Sequence, residues 1–505
     1  MARLSSWLTL LMAAGVFAAL SALAGCGGLP SLNPSPTVTS DTPAADISRD
    51  PAAKAEQPDS STGAAFNVND VSVDRIAYIG PYGDLFTINP DGSDRRRLTG
   101  ISRVRSDSPE PGVPSEPSEP SEPSDPSRSG DTAAFYTVQD LDFSETHAWP
   151  TWSPDGSQIA VSRVQLTPNR ALEVSVQVVD AATGVSRVVY QNDVPALVAD
   201  GAPHYLYWSP DGEYLSFLAT TRQGLTLFAV NPNSGDGAVA LERGAPLYFS
   251  WGGDGQSLIV HSREEVKLLD RPLLPERAVL LANAAGFRTP ALSPDGQRWA
   301  YSSGDASASV VSIGDRTAPA SPRNLLDTGP LVAFMWSPDG GMLAVADNTD
   351  PQGRIFQRLR VVATDGAGVR TLVEEPLLAF YWAPGGERLA WVGVDADEQV
   401  FEWKVTPVIR EGQGTGSEGA SREIFRFRPS GEVFTMLSFF DQYAYSHSPW
   451  SPDGTRLVVA GSQGPVAERR NGHTPTGARI YVLDAVGDAE PTEIAQGNVA
   501  FWSWN

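Results

Sequence analysis

The chain has 505 residues, with 37 Lys+Arg against 60 Asp+Glu and a formal net charge of −23. So acidic a chain repels phosphate backbones and anionic headgroups, which argues against general nucleic-acid binding or electrostatic membrane attachment. Its single Cys excludes an intrachain disulfide and a zinc site of several thiolates, while 41% hydrophobic residues suffice for a large core.

Residues 1–25 have the layout of an export signal. Arg3 precedes an apolar run from Trp7 to Leu20, and small residues follow. The end of this stretch, Leu23-Ala24-Gly25-Cys26, resembles the bacterial lipobox. The resemblance implies cleavage before Cys26, with lipid on its thiol and new amino group. Several acyl chains hold a protein on a membrane where one does not. The implied location is the bacterial cell envelope, on the periplasmic or cell-surface side. Gly27 rather than Asp follows the cysteine, so the commonest inner-membrane retention signal is absent. Residues 26–70 are rich in Pro, Ser, Thr, Ala and Gly and read as a flexible tether. A single domain is predicted over 71–505. Within it the SEPSEPSEPSDPS stretch, about 102–131, reads as an extended surface insertion.

A repeat then organises the chain. WSPDG begins at Trp152, Trp208, Trp336 and Trp450, with variants at Trp251 (WGGDG), Leu292 (LSPDG) and Trp382 (WAPGG). Most steps between them fall near the period of a four-stranded propeller blade. In each unit an apolar strand runs into the Trp. Pro, Asp and Gly then supply a preset φ, a backbone acceptor and a tolerated positive φ for a tight turn. Alternating and β-branched strands follow, such as Ile480-Tyr481-Val482-Leu483. The segment Phe439–Ser446 reads as a short helix or structured loop. Arg75–Ile79, Leu85–Ile88 and Arg96–Thr99 look like a unit without its first strand. Val499–Trp504 looks like a first strand without its unit. Joining them predicts an all-β propeller of eight blades, closed by pairing of the N-terminal strands with the C-terminal strand; seven blades is the alternative.

These turns and strands resemble the TolB-like, Trp-Asp-related β-propeller repeat family over about Val73–Thr99 and Phe135–Asn505. The family's six blades and separate N-terminal α/β domain are not matched here. The hydrolase domain that follows such propellers in prolyl-oligopeptidase-type peptidases has no counterpart before Asn505 either. The resemblance therefore implies a fold and not a Tol-system role.

Chemistry is sparse. HExxH, P-loop and Gly-x-Ser-x-Gly patterns are absent from the sequence. Gly414-x-Gly416-x-x-Gly419 has dinucleotide spacing but no helix after it, and Asp395-x-Asp397-Glu398 lacks the EF-hand Gly and distal Glu. Trp152, Asp155, Trp208, Asp211, Trp336, Asp339, Trp450 and Asp453 are assigned to packing and turns. One constellation is a candidate ligand or partner site. Residues just before each Trp should lie at the channel mouth opposite the turns. That places His147, His204, Tyr205, Tyr248, Arg288 and His447 there, with Asp441 and Tyr443 just upstream. Imidazole, phenol and guanidinium groups suit a polar or anionic ligand.

The expected function is a non-catalytic, lipid-anchored scaffold for a protein, or for a small polar or glycan ligand. It is expected to be monomeric and to need no metal or cofactor. An alternative is a propeller hydrolase or lyase on envelope glycans or peptides, using Glu145 and Asp441 as the carboxylate pair. A further alternative is an envelope sensor component.

Overall fold

The computed structural model describes residues 74–100, 145–167, 172–192, 204–270, 278–284, 289–319, 321–409, 420–464 and 477–503. The signal, the tether, the insertion at 102–131, Arg288 and the glycines at 414–419 lie outside the described residues. No helix among the described residues is long and apolar enough to cross a membrane.

Where the turns predict units, the chain forms four-stranded antiparallel sheets consistent with propeller blades. We number these units by their turns. Unit 2, for example, comprises Glu145–Trp152, Gln158–Leu166, Leu172–Asp180 and Ser186–Gln191. Inner strands are buried on both faces because a neighbouring unit covers each side, as in Ser257–Ser262 of unit 4. The outermost strand, such as Ser186–Gln191, is largely exposed and polar. Units 7 and 8 share one seven-stranded sheet. The fourth strand of unit 7, Arg422–Pro429, pairs with Arg456–Gln463 of unit 8 through Phe427–Gln463, Arg428–Ser462 and Pro429–Gly461. The first strand of unit 8 shrinks to a single bridge, Trp450 to Leu457.

The chain ends meet. Ile76–Ile79 pairs antiparallel with Val499–Trp502, placing Ile76 opposite Trp502 and Ala77 opposite Phe501. Ser503 Oγ accepts the Arg75 amide at 3.1 Å beside that ladder. Unit 1 is therefore assembled from both ends of the described chain, as the missing first strand predicted.

The turns are built on a hydroxyl that the sequence reading passed over. Ser153 Oγ donates to Asp155 Oδ1 at 2.6 Å and accepts the Gln158 amide at 2.9 Å. The same pair of bonds recurs from Ser209, Ser293, Ser337 and Ser451. The closing Gly sits at positive φ, +67° at Gly156 and +72° at Gly212, where a side chain would be strained. In unit 4, whose turn lacks the Ser, Ser257 Oγ reaches Asp254 from the following strand at 2.9 Å.

The repeated Trp does more than fill space. Each indole Nε1 donates to the carbonyl just before the equivalent residue of the preceding unit. Trp152 reaches Phe501 O, Trp208 reaches Thr151 O and Trp251 reaches Tyr207 O. Trp336 reaches Ala291 O, Trp382 reaches Met335 O and Trp450 reaches Tyr381 O. All six bonds span 3.0–3.2 Å. A buried N–H left unpaired costs roughly 1–3 kcal/mol, so this bond fixes each indole's tilt as well as its burial. Two steps lack it. Unit 5 carries Leu292, which packs with Ile259 of unit 4 instead. Trp502 is the other, its Nε1 making no such bond. There Arg456 joins the units, stacked 5.0 Å from the Trp502 ring and paired with Asp74 at 2.6 Å.

Candidate functional site

The predicted channel mouth is not open; the chain itself fills it. Between units 7 and 8 lie helix α1 (Gly431–Ser438) and the single turn α2 (Phe440–Tyr443). Ser430 caps α1, its hydroxyl accepting the Val433 amide at 3.1 Å. Val433, Phe434, Met436 and Leu437 give α1 a buried apolar face. The chain beyond it touches units far apart in sequence. Phe440 packs on Phe380 and Phe356, at 4.8 and 5.8 Å between ring centroids. Gln442 Nε2 donates to Phe249 O of unit 4 at 3.2 Å. The Tyr445 hydroxyl accepts the Trp336 amide of unit 6 at 3.2 Å. This segment is an internal plug.

Two backbone irregularities aim side chains at it. Trp149 and Tyr205 occupy equivalent positions three residues before Trp152 and Trp208. Both have left-handed φ, +56° and +53°, and both lie at breaks in strand register. A bulge of this kind redirects a side chain at a cost of about 1 kcal/mol or more. Here both rings turn onto the plug. Trp149 stacks on Tyr443 at 4.9 Å, and Tyr205 meets it at 4.4 Å. Tyr443 is 2% exposed.

The predicted site residues divide accordingly. His447, Tyr443, Tyr205 and His204 do come together, around the plug. His204 lies 4.5 Å from the Tyr205 ring. His447 is 1% exposed and packs against Phe501, Tyr443 and Trp149. Its Nε2 is 3.0 Å from Thr151 Oγ1 and its Nδ1 is 2.6 Å from Ser446 Oγ. The Thr151 hydroxyl also donates to Trp149 O at 3.0 Å and the Ser446 hydroxyl to Tyr443 O at 3.3 Å, so both ring nitrogens sit against hydroxyls that are already engaged. Burial without a charged partner pushes the imidazole down to about 3. Tyr205 and Tyr445 are pushed well above the ordinary phenol value by burial, with Asp441 adding to it. Asp441 lies in α2, its Oδ1 accepting the Gln442 amide at 3.1 Å. Tyr248 lies apart, 6.3 Å from the His261 ring within unit 4.

His147 serves a different joint. Its Nδ1 is 3.0 Å from Gly83 O of unit 1, so that nitrogen donates. Its Nε2 lies 3.3 Å from Glu145 Oε1 but off-axis for a hydrogen bond; Arg163 Nε holds the same oxygen at 2.6 Å. His147 and Arg163 together outweigh burial and hold the Glu145 carboxyl down at about 2. A general acid needs a pKa near the working pH, and Glu145 is shifted the other way. The acidic turn Asp395–Glu398 is likewise occupied, by Arg426 at 3.5 Å from Asp395 and 2.7 Å from Glu398.

The His447 environment predicts acid sensitivity. The folded state holds fewer protons than the unfolded chain between about pH 6.5 and about pH 3, so stability falls as pH drops through that window. Going from pH 7 to pH 5 should cost about 2 kcal/mol from this group. Urea unfolding at both pH values measures it, and His447→Gln should flatten the difference. Glu145 acts lower. Its contribution is present above about pH 4.5 and disappears towards pH 2.

The open cavity is at the other face, and sequence reasoning missed it. A funnel of ≈ 370 Å³ is walled by Trp251, Trp336, Trp382, Trp450 and Trp502, of which the sequence reading assigns Trp336 and Trp450 to packing. Its rim is Pro210, Pro294, Pro338, Pro384 and Pro452 from the turns, and its floor is Ala444, Tyr445 and Ser448 of the plug. No carboxylate, imidazole, thiol or amine is among the described lining residues. No group of three or more metal-ligating side chains is found among the described residues. The repeated Trp and Pro were the available signal, since strands repeating around an axis bring their equivalent turn residues to one face.

No family model matches the chain, and no curated protein sequence matches it. Solved structures give weak and partial likenesses. One is a eukaryotic initiation factor, with 14% identity and a TM-score of 0.47 over 86% of this chain and 99% of that one. Another is TolB from Acinetobacter baumannii, with 14% identity and a TM-score of 0.35 over 73% and 86%. A third is the β-propeller domain of the Trilobed protease from Pyrococcus furiosus, with 8% identity and a TM-score of 0.42 over 70% and 99%.

Proposed function

We propose that this protein is a non-catalytic binding scaffold, held by lipid on Cys26 at the outer side of a bacterial membrane. Its eight units close into one propeller wheel, and the turn-face funnel is where a partner is received. Closure is supported by the Ile76–Trp502 pairing and by the indole bonds that join neighbouring units at six of the eight steps. The binding reading rests on one observation: the described lining of the funnel is mostly apolar and holds no carboxylate, imidazole, thiol or amine, while its phenols, Tyr207, Tyr381 and Tyr445, are held above their ordinary value by burial. Such a surface binds by shape and desolvation and has no group poised to move a proton. The plug's many buried contacts make that surface rigid, which reduces the entropy lost on binding.

The test is recovery of the full-length protein from envelope membranes through an affinity tag placed within residues 102–131. The expected result is a retained partner that the Ser448→Trp variant, with its funnel filled, recovers poorly. Cys26→Ala should leave the protein unacylated and easily extracted. Retention of nothing beyond an untagged control, or membrane attachment that survives Cys26→Ala, would overturn the reading.

A further inference from the structure

We propose that the funnel seats one large apolar side chain or apolar chain end of a partner polypeptide whose flanking residues are basic. This deepens the reading above and rests on it. Three layers of the turn face carry the argument.

The innermost layer is the funnel itself, whose walls bear no charge. Its ≈ 370 Å³ is at the small end of ligand sites and suits a bulky side chain or two, but not a folded element. The second layer is the proline rim. Pro210, Pro294, Pro338 and Pro384 are exposed, have fixed φ and offer no N–H. They give a rigid apolar collar without donors for a carboxylate or sulfate.

The third layer is acidic. The turn residues Asp155, Asp211, Asp254, Asp295, Asp339 and Asp453 are all exposed and stand one residue beyond the rim position. Each is pinned by its own turn. Asp339 Oδ1, for instance, accepts from Ser337 Oγ at 2.6 Å and from the Gly341 amide at 3.1 Å. The Ser293 hydroxyl, then the Gln297 amide, holds Asp295 below the usual carboxylate range. Arg316 offsets Asp254 at 3.3 Å, and Arg298 and Arg456 lie over the Trp336 and Trp502 rings, 5.1 and 5.0 Å from their centroids. Glu213 adds to the acidic side of this balance, whereas Glu387 is offset by Arg388 at 2.6 Å. The chain as a whole carries −23.

A small apolar molecule would be swallowed by the funnel and leave the carboxylates unused. An anionic amphiphile would be repelled before reaching it. A polypeptide uses both layers, with its apolar residue in the funnel and flanking Arg or Lys side chains reaching the aspartates. Charges at such a rim chiefly set encounter rate, specificity and salt dependence, whereas the central apolar anchor sets affinity.

The test uses full-length protein in phosphatidylcholine nanodiscs and a fluorescein-labelled heptapeptide, a central tryptophan flanked on each side by two arginines. Anisotropy should report binding that weakens about tenfold when salt is raised to several Debye-length reductions. Replacing the arginines by glutamates, or the tryptophan by alanine, should each weaken it about tenfold or more. Ser448→Trp should abolish it. Asp211→Asn/Asp295→Asn/Asp339→Asn keeps the turn acceptors and should reproduce the salt effect, which tests the idea even if Ser448→Trp misfolds. Equal binding of the glutamate or alanine peptides, or indifference to the Asn substitutions, would overturn the inference. Naphthalene serves as a neutral probe. If it binds in a Ser448-dependent way and the peptide does not, the funnel remains a binding site and only this inference fails. If neither binds, both readings fail.

Discussion

Tyr443→Ala should destabilise the folded protein by about 3–5 kcal/mol, measured as a lower urea midpoint with unchanged slope. Tyr443 is buried between Trp149 of unit 2, Tyr205 of unit 3 and His447 four residues further along its own segment. Removing the ring empties the centre of the molecule and leaves two strained bulges with nothing to hold. Part of the loss should therefore be recoverable. In the Tyr443→Ala background, Tyr205→Gly would relieve the left-handed φ of +53° and should cost less than it does in the wild-type chain. If Tyr443→Ala costs under about 1 kcal/mol, the plug is not a structural element of the core.

Asp347→Ala should cost a similar amount, about 3–5 kcal/mol, for a different reason. Asp347 is 0% exposed and lies in the second strand of unit 6, Met342–Asn348. Arg358 grips both its oxygens, at 2.7 and 2.8 Å. Arg360 approaches at 3.2 Å, and the Gly329 amide donates at 2.9 Å. Burial would raise this carboxyl, but Arg358, the Gly329 amide and Arg360 together hold it low. Alanine leaves the buried Arg360 without its carboxylate and the Gly329 amide without an acceptor. Asp347→Asn keeps an acceptor for Gly329 and should cost less. Unfolding in urea at neutral pH distinguishes the pair, and equal costs for both variants would argue that charge is not what matters there.

The repeat made the architecture legible because each unit's instructions are local. Pro, Asp and Gly at adjacent positions specify a turn wherever they occur, and period-two apolar strands specify a sheet. The joining of Ile76–Ile79 to Val499–Trp502 was also readable, since an incomplete unit at each end can satisfy its ladder only with the other. The Ser hydroxyl found in five of the seven turns was in plain sight, and its bond to the Asp two residues later is as local as the turn itself.

The interior was not legible in this way. Phe439–Ser446 belongs to no repeat, and its partners lie far away in the chain, as with Gln442 and Phe249, 193 residues apart. Nothing local states that Gln442 will meet Phe249, so the polar mouth expected from His147, His204 and His447 becomes a filled and buried centre. The sequence by itself determined the units, their turns and their order, because those follow from φ preferences and alternation within about 45 residues. Only the tertiary structure decided which end of the central space stays open. That depends on where a non-repeating segment buries its aromatic side chains, a choice set by the sum of distant contacts.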